Sequence, residues 1–255
     1  MWDWQKGYLY PMEQCVDDAK KALTFARDSG LKNIPDLTLG SDQVLERPES
    51  GTIEDTVAHP TDGSRLIVAE ALKATPEKPL VIISGGPLTT VANALVTNPE
   101  IAPNMVVLNL TVSSYGYNGK DAWSPYIVAK KTRLVEWATG NFWDKNSVFT
   151  EEHFEVLPKN SFCDDMRRLI ATDLGQANQL GDGAALVWLW RHDCWKNSKR
   201  RKAVWRGPDV RFEEVGQAET ADVLDIPRSE TDLKASREEF FRVLAMPQLF
   251  AETEP

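Results

Sequence analysis

The stretch Leu80-Val-Ile-Ile-Ser-Gly-Gly-Pro-Leu-Thr-Thr-Val-Ala-Asn-Ala-Leu95 constrains this chain more than any other. Leu80 to Ile83 is an unbroken apolar run rich in β-branched residues, the composition of a parallel strand buried on both faces. Gly85 and Gly86 permit a sharp turn, and Pro87 suits a first helical position, where its missing N–H costs nothing. Leu88, Val91, Ala92 and Leu95 then recur at i, i+3, i+4 and i+7, which predicts one helix face, and Asn98-Pro99 stops the helix. Met105 to Leu108 is a second apolar run, so residues 80–108 predict one βαβ unit. Ligands of open α/β sheets bind outside the carboxyl ends of the strands, which directs attention to 84–87 and 112–118. A tight turn with no ligand is the plainer meaning of the same glycines and proline.

Around that unit, strands and helices alternate. The pattern predicts an α/β fold with a mostly parallel, Rossmann-like sheet and helices on both faces. A helix over 12–29 presents Val16, Ala19, Leu23 and Ala26, with Gly30 as its C-terminal cap. A short strand is expected at 34–39, loop chemistry over 41–61, and a helix from Asp62 or Ser64 to Ala74. Further helices are expected over 121–138, from Ser161, over 184–190 and from Ser229. Strands are expected near 154–157 and within 203–226. No internal repeat or low-complexity segment is visible. The whole reads as a single domain, 1–255, with 141–255 its more divergent part.

Composition removes several function classes. Among 255 residues the formal charge is −9, which disfavours a polyanion as partner, and the basic cluster 196–202 is short enough to be a solvated loop. Three cysteines, Cys15, Cys163 and Cys194, form neither zinc spacing nor a disulfide framework, which points to a reducing, cytoplasmic setting. No membrane span and no signal-peptide core stand out. Most of the nine tryptophans are expected in core or interface positions rather than as a stacking platform for bases. A homo-oligomer is a possible assembly. No G-x-G-x-x-G follows an expected strand, which disfavours a dinucleotide-dependent oxidoreductase.

Gly86-Pro87-Leu88-Thr89-Thr90-Val91-Ala92 resembles the G-P-L-T-N-hydrophobic-A signature of inosine/uridine-preferring nucleoside hydrolases, with Thr90 where asparagine is usual. The similarity extends over roughly residues 12–137. It implies hydrolysis of the N-glycosidic bond of a ribonucleoside or related N-ribosyl compound, and a place in purine or pyrimidine salvage. It also implies a bound Ca²⁺, which takes six to eight oxygens and lowers the pKa of its water. Carried over residue by residue, Thr89 would offer its backbone oxygen to the metal, and Asp182 would be the late calcium aspartate. Asn118 with Tyr117 would hold the ribose. Asp121 would be a substrate-side residue, with a helix-capping role equally open.

The chain departs from that pattern at several points. The histidine expected before the late aspartate is Gly181, and the acidic residue expected before Asn118 is Gly116. The family's N-terminal aspartate cluster has no counterpart. Asp17 and Asp18 echo it, but the first turns of a helix are a sufficient reason for their charge. His192, in His192-Asp193, is the one catalytic alternative with an adjacent acid; His59 and His153 have no partner visible in sequence. The catalytic group is thus unassigned, with His192 as the candidate. Two readings follow: an N-ribohydrolase, or a non-catalytic nucleoside- or sugar-binding protein with a degraded metal site. A natural first strand upstream of Met1 that carries the aspartate cluster would favour the enzyme. As written, the chain is expected to bind calcium weakly and to show little nucleosidase activity.

Overall fold

The computed structural model describes residues 2–3, 8–9, 12–110, 121–137, 151–172 and 186–246. They fall into two compact units, one of 1–9, 38–140 and 196–231, the other of 10–37, 141–195 and 232–255.

The first unit is built on a six-stranded mixed sheet. Its strands are β3 (Leu80–Ser84), β4 (Met105–Leu110), β5 (Arg133–Trp137), β6 (Lys199–Arg206), β7 (Asp209–Glu214) and β8 (Val223–Ile226), in the order β3-β4-β5-β8-β6-β7. The pairs β3–β4, β4–β5 and β5–β8 are parallel, while β6 runs antiparallel to both β8 and β7. Trp2–Asp3 (β1) and Tyr8–Leu9 (β2) form a separate antiparallel pair.

Among the described residues its α-helices are α2 (Asp62–Ala71), α3 (Thr89–Thr97) and α4 (Trp123–Lys131). Thr61 caps α2 in a reciprocal arrangement, its hydroxyl accepting from Ser64 N while the Ser64 hydroxyl accepts from Thr61 N. The amphipathic face predicted for 88–95 is real. Leu88, Val91, Ala92 and Leu95 are all buried, in one cluster with Ile127 and Val128 of α4. The same cluster takes Met105 and Val107 of β4, Leu134 of β5, Val223 of β8 and Ala203 of β6, so one sheet face meets these helices. Lys130 closes α4 onto Asp222 at 2.5 Å.

The segment before α2 is stitched to α3. Ser41 N donates to Thr90 Oγ1, Asn93 Nδ2 donates to Ser41 Oγ, and His59 N donates to Asn93 Oδ1. A Cβ at Gly40 would stand 2.5 Å from Thr90 Oγ1, closer than real Cβ contacts allow. A further tie runs from Trp123 Nε1 to Thr56 Oγ1, 2.9 Å. The Arg47 guanidinium lies 5.5 Å from the Trp123 ring and 5.2 Å from that of Trp205, within cation–π range.

The second unit holds α1 (Met12–Asp28), α5 (Glu151–Glu155), α6 (Ser161–Thr172) and α7 (Leu233–Leu244). Gly30 ends α1 at φ 85°, with Leu31 N reaching Ala26 O and Gly30 N reaching Arg27 O, the glycine cap expected there. Ser29 Oγ accepts from Phe162 N and joins α1 to the start of α6. Phe241 of α7 meets Phe154 edge-on and stacks on His153, both ring pairs at 5.1 Å.

Several sequence expectations need correction. No strand forms at 34–39: Pro35 lacks a donor, and Arg27 satisfies the carbonyls of Ile34 and Pro35 in place of a ladder. The β3 strand is not buried on both faces. Among the described residues it pairs only with β4, at the sheet edge, and Val81 is exposed. Neither Gly85 nor Gly86 takes a positive φ. The helix expected over 121–138 stops at Lys131, because Thr132 turns extended and the β-favouring run that follows enters the sheet. Residues 154–155 are helical, where a strand was expected. The last helix is capped by Asp232, whose side chain accepts from Ala235 N, and Asn160 does the same for α6 through Cys163 N.

One buried carboxylate stabilises the second unit. Glu239 accepts from Arg242 at 2.7 and 2.8 Å, from Trp190 Nε1 at 2.8 Å and from Arg191 at 3.4 Å. The Arg242 bonds weigh most in holding its carboxyl down to about 2 from an ordinary 4.5. A depressed carboxyl contributes stability above its unfolded value and loses it as pH falls through the folded one. The helices of this unit should therefore lose stability between pH 4.5 and about 2. Glu239→Gln should cost about 2–4 kcal/mol at pH 7, and the difference from wild type should shrink in that acid range, as followed by circular dichroism.

Candidate functional site at the carboxyl ends of the parallel strands

The chain leaves β3 through four residues and enters α3 at Thr89; α4 begins at Trp123, just past Asp121. Both helix starts belong to the carboxyl-end side of the parallel strands, where ligands of open α/β sheets bind. They are joined by one buried carboxylate. Asp121 Oδ2 accepts from Thr89 Oγ1 at 2.5 Å and from Ser124 Oγ at 2.6 Å, while Oδ1 accepts from Ser124 N at 2.9 Å. Asp121 thus caps α4 and ties it to α3 through Thr89.

A second group comes from strand register alone. In parallel pairing Ser84 stands opposite Asn109, Asn109 opposite Glu136, and Glu136 opposite Asp225. Registered neighbours share a sheet face, so four polar residues lie in one transverse row. Two residues back along each strand, Ile82, Val107, Leu134 and Val223 form the apolar row against the helices. The core face therefore turns polar at its carboxyl end. Asn109, Glu136 and Asp225 are each 0% exposed. Arg201 of β6 reaches Asp225 Oδ2 at 2.6 Å. Ser84 donates to Gly86 O at 3.0 Å. Among the described residues Asn109 has no hydrogen-bond partner for either Oδ1 or Nδ2. An unpaired buried amide costs about 1–3 kcal/mol, so this one calls for a reason.

Of the site residues expected from sequence, Thr89 and Asp121 are brought together. Tyr117, Asn118 and Asp182 lie outside the described residues. His192 stands exposed on a short 3-10 helix of the second unit, with Nε2 3.2 Å from Leu189 O. Among the described residues no group of three or more His, Cys, Asp or Glu side chains is placed to hold a metal ion. Asp121 has both oxygens engaged by protein donors, and a carboxylate so engaged fits capping better than a calcium shell. Of the two calcium ligands that the resemblance implies, Thr89 lies at the start of α3 and Asp182 lies outside the described residues.

Sequence reasoning missed the polar row. The signal was there in each strand: one polar residue breaks the apolar run near the carboxyl end, Asn109 in Met105–Leu110, Glu136 in Arg133–Trp137 and Asp225 in Val223–Ile226. Only the register shows that they align.

No model of a known protein family matches the chain, and none of the curated proteins matches it in sequence. Solved structures do match. The purine-preferring ribonucleoside hydrolase from Gardnerella vaginalis is similar over 90% of this chain and 86% of its own, at 14% identity and a TM-score of 0.60. An inosine–guanosine nucleoside hydrolase is similar over 91% and 86%, at 16% identity and a TM-score of 0.58. The inosine-uridine preferring nucleoside hydrolase from Bacillus anthracis is similar over 89% and 86%, at 14% identity and a TM-score of 0.50. The class that the sheet and its helices define is α/β with a mixed, mostly parallel sheet. Within that class the chain has a nucleoside hydrolase-like fold.

Because the Asp121 carboxylate serves three donors, Asp121→Ala should destabilise the protein by about 2–3 kcal/mol in urea denaturation. Thr89→Val, which removes one donor and keeps the shape, should cost about 1 kcal/mol, and Thr89→Ser should cost less.

Proposed function

We propose that this chain binds a nucleoside or a related N-ribosyl compound at the carboxyl end of its parallel strands and hydrolyses the N-glycosidic bond. The observation that carries this reading is the fold, shared over nine-tenths of the chain with three nucleoside hydrolases, with a buried polar row where such a sheet binds ligands. Cleavage of an N-glycosidic bond builds positive charge on the sugar and needs water activated by a base. Glu136 supplies a carboxylate in the middle of the row, and Arg201 offsets the charge of its neighbour Asp225. We assign Glu136 the role of general base or of electrostatic partner to the sugar cation.

A second reading, binding without turnover, is favoured by one observation: Asp121, the described carboxylate nearest the α3 start, is committed to capping. The test is release of free base from inosine, guanosine and uridine, with and without added Ca²⁺, alongside calorimetric binding of the same nucleosides. Slow turnover is expected, lost in Glu136→Gln with binding retained. Binding with no base release in wild type would favour the second reading. Neither binding nor release would remove both.

A further inference from the structure

We infer that Asn109 is a ligand-binding residue, and that the Ser84–Asn109–Glu136–Asp225 row takes a hydroxyl-bearing small molecule such as a ribosyl group. The inference deepens the function proposed above and rests on it for the identity of the sugar. Its support lies in what the row offers. Asn109 stands between Ser84 and Glu136 in register, is fully buried, and has an amide oxygen and an amide nitrogen both without a partner among the described residues. Elsewhere in the row, Ser84 already donates to Gly86 O, and Asp225 is met by Arg201.

An amide left idle in a buried place destabilises the fold unless something supplies both a donor and an acceptor. A sugar hydroxyl does both at once, and two adjacent hydroxyls can serve both ends of the amide. A carboxylate accepts only, so Glu136 beside it favours a donor-bearing ligand over an anion. The charge on the row agrees: two carboxylates and one guanidinium leave it net negative, which suits a neutral polyol and repels a phosphate.

This predicts opposite effects of one substitution on stability and on binding. Leucine has nearly the shape of asparagine and needs no hydrogen bond. Asn109→Leu should raise the Tm of the free protein by about 2–4 °C, because it removes an unsatisfied buried amide. It should also weaken binding of inosine, and of D-ribose used alone, by about tenfold or more. Calorimetric titration with both probes and a thermal melt of the full chain read these out. Asn109→Ala, which leaves space rather than adding bulk, carries the affinity measurement if the leucine variant does not fold. A lower Tm in Asn109→Leu would show the amide satisfied inside the protein, by a buried water, and would overturn the inference. Unchanged affinity for both probes in either variant would do the same. Wild type binding ribose but no nucleoside, with the ribose lost in Asn109→Leu, would uphold the inference while removing the proposed function. Nucleoside turnover indifferent to residue 109 would remove the inference and leave the proposed function standing.

Discussion

The register of three parallel strand pairs is the constraint from which the rest of the first unit follows. It aligns Ile82, Val107, Leu134 and Val223 in one row against α3 and α4, and two residues further it aligns Ser84, Asn109, Glu136 and Asp225. Because side chains alternate with period two, a slip of one residue in any pair would send a core residue out and a polar one in. The same register thus fixes both the packing of the helices and the composition of the sheet's carboxyl-end edge. Arg201 depends on it as well, since β6 meets β8 with Arg201 opposite Val223, on the face from which it reaches Asp225.

What the sequence revealed was set by how local each signal is. The β3-α3-β4 unit was legible because an apolar run, a turn and a 3.6-residue periodicity all fall within thirty or so residues, a span typical of such units. Gly30 was legible as a cap for the same reason. The segment 34–39 looked like a strand by composition alone, but a strand exists only when a neighbour supplies its ladder. Residues 133–137 went the other way: Leu134 and Trp137 continued a helical pattern on paper, and the sheet claimed them. In the site, Thr89 and Asp121 could be picked from one motif and one helix start, whereas the polar row is a property of four segments at once. No single strand announces it.

Thr90, where the resembled signature has asparagine, acquires a structural reason. Its hydroxyl accepts from Ser41 N, and Gly40 has no side chain to keep the two apart. With Asn93 holding Ser41 and His59 N, the α3 helix doubles as an anchor for the long segment that precedes α2. Arg47 on the faces of Trp123 and Trp205 adds a further tie, and Gly51, at φ 71°, leaves the space its guanidinium fills. The departure from the signature is therefore compensated within the unit, through a loop whose own composition gave no hint of being so closely held.

The position of β8 bears on how the chain reaches this state. Among the described residues it is the last strand to be synthesised, yet it lies inside the sheet, parallel to β5 on one side and antiparallel to β6 on the other. Until Val223–Ile226 emerges, β5 and β6 each carry an open edge, the kind of surface that recruits other chains. Such long-range closure is slow, because the entropy of joining distant segments is spent before their contacts form. The nascent protein is consequently most prone to aggregate late in its synthesis. A chain cut short before Val223 would lose the middle of its sheet, not its margin.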